Sequence, residues 1–279
     1  MGIERIEADR KGKDYFELRN ETNSKSAKKN RRRQRKMSRV QKLYDTCKEV
    51  FSPGGIGIVP PPSDIERILS VLADMTEADV GLRPNMSCFR TTSTDQVPKI
   101  AYLHLHECEK FSIGIFCLPP SGIIPLHNHP GMTVFSKLLF GTMHIKSYDW
   151  VDAPCNTTAS ANDLNIQPAG VRLAKVKVDA DFTAPCNTSI LYPADGGNMH
   201  CFTALTPCAV LDVLGPPYSD PDGRHCTYYL DFPFSRFVVD GVSVAEEERE
   251  GYAWLQEREK PEDLVVVGAK YSGPKIVEN

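Results

Sequence analysis

Two histidines separated by a single residue, His127 and His129, have the spacing in this chain that points most directly to chemistry. Side chains two positions apart on a β-strand leave the same face, so the two imidazoles would converge on one point. Converging imidazoles are the beginning of a transition-metal site. The turn signal Pro130-Gly131 follows the pair, and glycine lets the backbone approach a bound group closely.

The chain contains a second pair of this kind, His104 and His106. It lies inside a segment in which Tyr102 and the two histidines alternate with alanine and leucine. Such alternation predicts a strand, and we interpret the two histidines as part of the polar face of an ordinary sheet. The sequence context therefore favours the first pair as the metal site.

Composition places the chain among ordinary globular proteins. Of its 279 residues, 41% are hydrophobic and 25% are charged, and the formal net charge is -3. It has no run of about eighteen apolar residues, so we expect no membrane span. Its nine cysteines are odd in number and lack paired CxxC spacing. They argue against a disulfide framework or a zinc knuckle and indicate a reduced, intracellular protein.

Residues 1–38 are polar and poor in large apolar side chains, so we predict a disordered tail. Between Lys28 and Lys36, seven of nine residues are basic. Such a run is a solvated charge block, a nuclear-import signal or a nucleic-acid patch. No aromatic residues interleave it, which disfavours base stacking. We therefore expect no direct nucleic-acid binding, and a location in both nucleus and cytoplasm.

Two helices are predicted ahead of the strands. Apolar residues from Val40 to Phe51 have helical spacing, and the Ser-Pro-Gly-Gly sequence at 52–55 ends that helix. A capping-box pattern predicts that a second helix begins at Ser63. We interpret both helices as packing elements on the outside of one domain, residues 39–279.

Beyond residue 100 the pattern changes to short β-like runs separated by Pro, Gly, Asn and Asp. Nine candidate strands at this spacing predict a mainly-β sandwich or jelly-roll barrel. The candidates are residues 100–106, 111–118, 134–141, 143–150, 173–178, 188–192, 201–204, 209–214 and 226–232. Residues 245–257 predict a short helix, and residues 264–267 predict an edge strand.

A barrel of this kind encloses a small cavity, and a third metal ligand should come from a later strand. His144 is too close in sequence to be brought opposite the pair without strain, and His225 follows a turn-rich loop. His200 is the better candidate, because it ends a turn-rich approach and opens a strand. The predicted metal ligands are therefore His127, His129 and His200.

This arrangement resembles the cupins, whose first motif is a His-x-His pair and whose second is a Pro- and Gly-rich turn leading to one histidine. The resemblance implies a double-stranded β-helix, the cupin form of the jelly-roll barrel. In one respect the chain departs from the cupin pattern, because Thr133 and Val134 stand where the first motif usually carries a glutamate. Three neutral imidazoles leave neighbouring positions of a divalent metal open and favour an anionic ligand from the substrate, such as a thiolate.

The surrounding sequence resembles the plant cysteine oxidases, relatives of the animal cysteamine dioxygenase, over roughly residues 40–275. The segments that carry the resemblance are residues 125–133 (PLHNHPGMT), 140–150 (FGTMHIKSYDW), 198–202 (NMHCF) and 210–218 (VLDVLGPPY). It implies a non-haem Fe(II) enzyme that uses dioxygen to convert the N-terminal cysteine of a protein or peptide to its sulfinic acid.

In that family the substrates include ethylene-response transcription factors. Their oxidation feeds the N-degron pathway, so that the enzyme acts as an oxygen sensor in the hypoxia response. The resemblance thus implies partners that are Cys-initiating chains and dioxygen. We expect the protein itself to be a monomer that binds no membrane.

Asp212 and Tyr218 are the predicted catalytic residues. Asp212 lies on a candidate strand whose period-2 neighbours are apolar, so its carboxylate would face an apolar interior. We favour a functional role over a structural hydrogen bond for this carboxylate. Tyr218 follows Gly-Pro-Pro on a rigid loop that would line the cavity mouth. The resemblance implies substrate positioning or proton handling for both residues.

The resemblance also places Cys226 and Tyr228 where the animal relative can form a Cys–Tyr crosslink. We favour an unlinked, buried cysteine beside a core tyrosine, and the sequence leaves the crosslink open.

Two other functions stay open for the whole chain. One is a non-catalytic cupin that binds a ligand or regulates transcription, and the other is a zinc hydrolase or isomerase, because three histidines also suit zinc.

Overall fold

The computed structural model describes residues 37–90, 97–151, 170–239 and 242–278. The predicted tail, residues 1–38, therefore lies outside the described residues except for Met37 and Ser38. Ser38 belongs to the first helix as its N-cap, because its hydroxyl accepts a hydrogen bond from the Gln41 amide at 3.1 Å.

Two amphipathic helices come first, α1 (Arg39–Val50) and α2 (Pro62–Ala73), and each buries its apolar face. The capping box predicted at Ser63 is wrong. The N-cap of α2 is Pro61, and no side chain caps this helix. The prolines at its start replace the cap, because their fixed φ suits the first turn and they carry no amide hydrogen that needs a partner.

The strands form two groups. The bounds are β1 (Ile100–Glu107), β2 (Ser112–Leu118), β3 (Ile123–Asn128), β4 (Thr133–Phe140), β5 (Thr142–Trp150), β6 (Val171–Thr183), β7 (Ser189–Leu191), β8 (Met199–Ala204), β9 (Cys208–Gly215), β10 (Tyr228–Pro233), β11 (Tyr252–Arg258) and β12 (Val266–Ala269). A six-stranded sheet has the order β12-β1-β2-β9-β4-β7, and a closed barrel has the order β10-β11-β6-β5-β8-β3. The predicted mainly-β fold, a barrel with flanking helices, is confirmed.

Across the described ranges, no helix combines the length and the apolar character that crossing a bilayer requires.

The helices pack on one face of the six-stranded sheet. Phe51, at the end of α1, stacks on Phe111 with ring centroids 6.0 Å apart and meets Phe135 edge-on at 6.5 Å. These rings belong to one cluster of buried apolar side chains that joins both helices to β1, β2, β4 and β9. A second buried cluster joins strands of the sheet to strands of the barrel, so the sheet is covered on both faces.

The strand that carries His127 and leads into His129, β3, was not among the predicted strands. Pro125 stands in the middle of β3, and proline usually excludes a central strand. The structure accommodates it because the pairing of β3 with β8 shifts between Ile124 and His127, which is a bulge.

The helix predicted over residues 245–257 is wrong for its second half. Glu246–Gly251 form a 3₁₀ turn, and the chain then continues as β11. β11 pairs with both β10 and β6 and buries Trp254. This two-sided pairing overrides the local helical composition. The edge strand predicted at residues 264–267 lies slightly later, as β12, and pairs in parallel with β1.

The interpretation of His104 and His106 as one polar face is also wrong. Pairing of β1 with β2 shifts between these residues, and the bulge sends their side chains to opposite faces. His106 is buried, with its ring centroid 4.8 Å from that of Tyr44 and its Nδ1 3.0 Å from Glu278 Oε1. His104 stays exposed.

Candidate metal centre

The structure brings together His127 at the end of β3, His129 in the turn that follows, and His200 at the start of β8. His127 lies directly opposite His200 in the β3–β8 pair. The ring centroids are 4.8 to 4.9 Å apart, and one nitrogen of each ring lies within 4.8 Å of the others. No other group of three potential ligands is found in the described part of the chain.

Burial keeps these three imidazoles neutral. Desolvation lowers the pKa of His127, and it lowers the pKa values of His129 and His200 well below their usual range, with the neighbouring imidazoles adding to the effect. His127 Nδ1 lies 2.8 Å from the Pro125 carbonyl oxygen, to which we assign it as the donor. Its Nε2 then keeps a lone pair for a metal.

A tyrosine fixes the second imidazole. The Tyr218 hydroxyl donates to the Asn128 carbonyl oxygen at 2.6 Å and accepts from His129 Nδ1 at 3.0 Å. Burial raises the pKa of the Tyr218 phenol well above its usual value, so the hydroxyl stays protonated. The structure therefore places Tyr218 as the partner of a candidate ligand, which sets the tautomer and orientation of His129.

The turn before β8 holds the pair to the third histidine. Asn198 Nδ2 donates to the His129 carbonyl oxygen at 2.9 Å and to the Tyr192 carbonyl oxygen at 2.8 Å. The amides of Gly197 and Asn198 donate to Asp149 Oδ1 at 2.8 and 3.0 Å. Asn198 was not among the predicted site residues, although an asparagine after two glycines marks a structured turn.

The three-histidine site fits a divalent transition metal. His129 Nε2 lies 3.0 Å from His200 Nε2. Two neutral imidazole nitrogens at this distance either share an N–H···N hydrogen bond or direct both lone pairs at one cation between the rings, so the geometry suits a shared metal. At the position of the usual cupin glutamate, Thr133 and Val134 are buried, and the Thr133 hydroxyl has no partner among the described residues. All the protein donors in the cluster are neutral nitrogens.

The three histidines open into a cavity of about 340 Å³ between the sheet and the barrel. Its walls are mainly apolar. The ionisable side chains outside the histidine and cysteine-tyrosine groups are Glu107 and Asp212, and no lysine or arginine lines the cavity. The remaining lining residues include Ser112, Gly114, Phe116, Ile124, Phe202, Leu214, Pro217, Leu264 and Val266. The cavity therefore favours a cationic or neutral guest over an anionic one.

Asp212 lines this cavity from β9, opposite Gly114 of β2 and Ser136 of β4. Only 4% of it is exposed, and its Oδ1 has no hydrogen-bond partner among the described residues. Burial raises the pKa of the carboxyl to about 7, and the nearby Ser136 hydroxyl only partly opposes this shift. A buried carboxyl that lines a cavity and has an oxygen without a protein partner indicates that a bound molecule supplies the hydrogen-bond partner.

Cys226 and Tyr228 line the same cavity. The Cys226 thiol contacts the hydroxyls of Tyr218 and Tyr228, and burial raises the pKa of the thiol. The unlinked state of the pair stays a prediction.

The two histidines that were not chosen as the third ligand, His144 and His225, lie outside the cluster. His144 binds Asp181 and Asp179 at 2.7 and 2.9 Å, and His225 is exposed.

Comparison with known proteins gives close relatives. The PCO_ADO family profile matches residues 71–276. The chain is 65% identical to plant cysteine oxidase 2 of Arabidopsis thaliana over 263 residues, which cover 92% of this chain and 91% of that protein. It is 31% identical to the 2-aminoethanethiol dioxygenase of Homo sapiens over 225 residues, which cover 77% and 82%.

Solved structures give a weaker likeness. An RmlC-like cupin protein from Desulfovibrio desulfuricans aligns with a TM-score of 0.29 and 17% identity, over 49% of this chain and 97% of that one. The family profile and the relatives each span most of the chain, so the sequence matches alone establish the family. The chain belongs to the PCO_ADO family, and its predicted resemblance to the plant cysteine oxidases and the animal cysteamine dioxygenase is confirmed.

Proposed function

We propose that this protein is a thiol dioxygenase that holds Fe(II) on His127, His129 and His200 and oxidises the N-terminal cysteine of a polypeptide to its sulfinic acid. The observation that carries the proposal is a buried cluster of three neutral imidazoles without a carboxylate. Such a site leaves the charge of a divalent metal uncompensated, so it favours a thiolate from the substrate.

Iron is the metal that suits both the ligands and the reaction. Imidazole ligands accept iron, zinc and copper, and the ligands alone do not choose among them. A bound ferrous ion supplies the redox chemistry that dioxygen needs in order to react with a thiol sulfur. The family membership supports this choice over a zinc hydrolase. A histidine is present at each of the three ligand positions, which disfavours a non-catalytic cupin.

The oxidation balances without a further reductant. Both atoms of dioxygen end on the substrate sulfur, which loses four electrons while dioxygen gains four. The carbon–sulfur bond stays intact, and the thiol proton leaves when the sulfinic acid ionises. The protein's task is therefore to bind the thiol and amine, to exclude water and to hold protons at the right atoms.

The charge of the cavity supports an N-terminal cysteine residue over free cysteine. Free cysteine carries a carboxylate, and Glu107 and Asp212 are the acidic groups that line the cavity without a lysine or arginine to offset them. In a polypeptide that carboxylate is replaced by a neutral amide. The amine is then the charged group of the substrate, and the Asp212 carboxylate is placed to accept a hydrogen bond from it.

We further propose that the substrates are proteins such as ethylene-response transcription factors, and that the enzyme acts as an oxygen sensor in the N-degron pathway and hypoxia response. Family resemblance supports this role. The basic run at 28–36 supports action in the nucleus as well as the cytoplasm, and we propose that the protein is a monomer. Removing residues 1–36, which leaves the Ser38 N-cap of α1 in place, should leave activity unchanged but abolish nuclear enrichment of a fluorescent fusion. An unchanged nuclear fraction would contradict the import role.

The substrate proposal is tested with one peptide in two forms. The iron-loaded protein should consume dioxygen with a Cys-initiating peptide and form the sulfinic acid, detected by mass spectrometry. The same peptide with an acetylated N-terminus should react at least about a hundredfold more slowly, because it lacks the amine that positions the thiol. Equal rates for the two forms would show that the amine plays no part.

The ligand assignment predicts the iron content of single variants. Replacing His127, His129 or His200 with alanine should remove most of the bound iron, measured by elemental analysis, and abolish oxygen consumption. His104→Ala is the matched control, because His104 is exposed and lies outside the cluster. Loss of iron from the control comparable with that from His200→Ala would refute the assignment.

Asp212→Asn tests the role of the buried carboxyl. The variant should keep its iron but turn over at least about tenfold more slowly, because it cannot accept the proton or charge of the amine. In the wild-type enzyme, turnover should rise with pH through about 7 as Asp212 ionises, and this rise should be absent in the variant. Normal turnover with an unchanged pH profile would remove Asp212 from the mechanism.

The same variant also separates function from structure. The pKa of Asp212 is higher in the folded protein than in the unfolded chain, so its ionisation lowers the free energy of unfolding as pH increases from about 4 to 7. Above about pH 7 this loss of stability is complete. Iron-free Asp212→Asn protein should therefore be at least as stable as iron-free wild type at pH 8, as measured by urea denaturation. A large loss of stability would instead identify Asp212 as a structural residue.

A further inference from the structure

Tyr102 of β1 lies on the sheet side of the cavity. Its ring packs over Gly114 on the next strand, where there is no side chain to block it. A Cβ atom built on Gly114 of β2 would come within 2.5 Å of both the Cε2 and the hydroxyl oxygen of Tyr102. Gly114 is not among the glycines with positive φ, so its backbone does not require glycine. Glycine weakens a strand interior, and here its effect is to let the phenol lie against the strand.

The Tyr102 hydroxyl is thereby brought to the wall that carries Asp212. In the sheet, Gly114 pairs with His104 of β1 on one side and with Asp212 of β9 on the other. Residues directly opposite each other in an antiparallel pair share a face, so the phenol that covers Gly114 is neighbour to the Asp212 side chain. Tyr102, Gly114 and Asp212 all line the cavity of the three histidines.

This hydroxyl is available as a donor. Burial, together with Glu107 and Asp212, raises the pKa of Tyr102 to about 12, so the phenol stays protonated at neutral pH. It has no hydrogen-bond partner in the part of the chain that the structure describes. Tyr218, by contrast, donates its proton to the Asn128 carbonyl oxygen and has none to offer a substrate.

The substrate of the proposed function, on which this step rests, presents a matching acceptor. An N-terminal cysteine residue has a thiol, an amine and the carbonyl oxygen of its first peptide bond. The thiol and amine are accounted for by the metal and by Asp212, whereas the carbonyl can only accept hydrogen bonds. A protonated phenol beside Asp212 has the geometry and chemistry to donate one.

We propose that Tyr102, seated over Gly114, is a specificity-determining residue that donates a hydrogen bond to the first peptide carbonyl of the substrate. It thereby favours a cysteine residue in amide linkage over a simple aminothiol. Asp212 contacts the amine of the same residue, so β1 and β9, which flank β2 in the sheet, recognise the two ends of one N-terminal residue.

Two small thiols isolate this hydrogen bond. Cysteinamide carries the carbonyl, and cysteamine lacks it but keeps the thiol and the amine. Binding of each to the iron-loaded protein is measured by calorimetry without oxygen, and turnover is measured separately with oxygen. Tyr102→Phe should weaken cysteinamide binding about tenfold, the usual effect of one lost hydrogen bond, and raise its KM more than it lowers kcat. Cysteamine binding should change by less than about twofold.

Two further variants guard against a general structural effect. Tyr271→Phe removes another tyrosine hydroxyl that is buried without a partner among the described residues and lies outside the cavity, so both ligands should bind as in wild type. Gly114→Ala should displace the Tyr102 ring and weaken cysteinamide binding as Tyr102→Ala does. In the Tyr102→Ala background the glycine substitution should add little, because its effect acts through the missing ring.

The proposal fails if Tyr102→Phe leaves cysteinamide binding unchanged, or if it weakens cysteamine binding by the same factor. It also fails if the Gly114 and Tyr102 effects are additive. Binding without oxygen keeps this result separate from the proposed function. A wild-type protein that binds cysteinamide more tightly than cysteamine but oxidises neither would contradict the dioxygenase assignment, while selective loss of cysteinamide binding in Tyr102→Phe would still support the hydrogen bond.

Discussion

The structure depends on holding three neutral imidazoles with their free nitrogens facing one another in a buried site. The Nε2 atoms of His129 and His200 lie 3.0 Å apart, a distance that suits an N–H···N hydrogen bond or two lone pairs directed at one shared cation. The protein fixes the rings from behind: the Pro125 carbonyl holds His127, and Tyr218 holds His129. The local features of the fold around the site, including the β3 bulge and the turn before β8, follow from this requirement.

The two walls of the cavity divide the chemistry. The barrel wall supplies the candidate metal ligands, which are neutral and leave the metal's charge uncompensated. The sheet wall supplies Asp212, an unpaired carboxyl in apolar surroundings. A substrate that brings a thiolate to one wall and an amine to the other satisfies both walls at once. Each wall alone leaves buried polar groups poorly satisfied, which supports the proposal of a ligand with two functional groups.

The sequence was sufficient for the periodic part of the structure. A His-x-His pair beside a Pro-Gly turn and a histidine after a Gly-rich turn predicted which side chains meet, although His129 lies in the turn after β3 and not on the strand. Bulges were not predictable, since the register shifts beside Pro125 and His106 arise only when the strands pair. For the same reason, the partnership of Tyr218 with His129, about ninety positions earlier, was not visible from the sequence. β11 was missed because its two pairing partners outweigh its local composition.

The central claim is that dioxygen and an N-terminal thiol react within this three-histidine site. The most direct measurement is mass spectrometry of a Cys-initiating peptide after reaction with the iron-loaded protein under dioxygen enriched in the heavy isotope. The account predicts a product that carries two labelled oxygen atoms, both on the sulfur of the first residue. A product with one labelled atom, or with both oxygen atoms drawn from unlabelled water, would contradict a dioxygenase and with it the role assigned to the site.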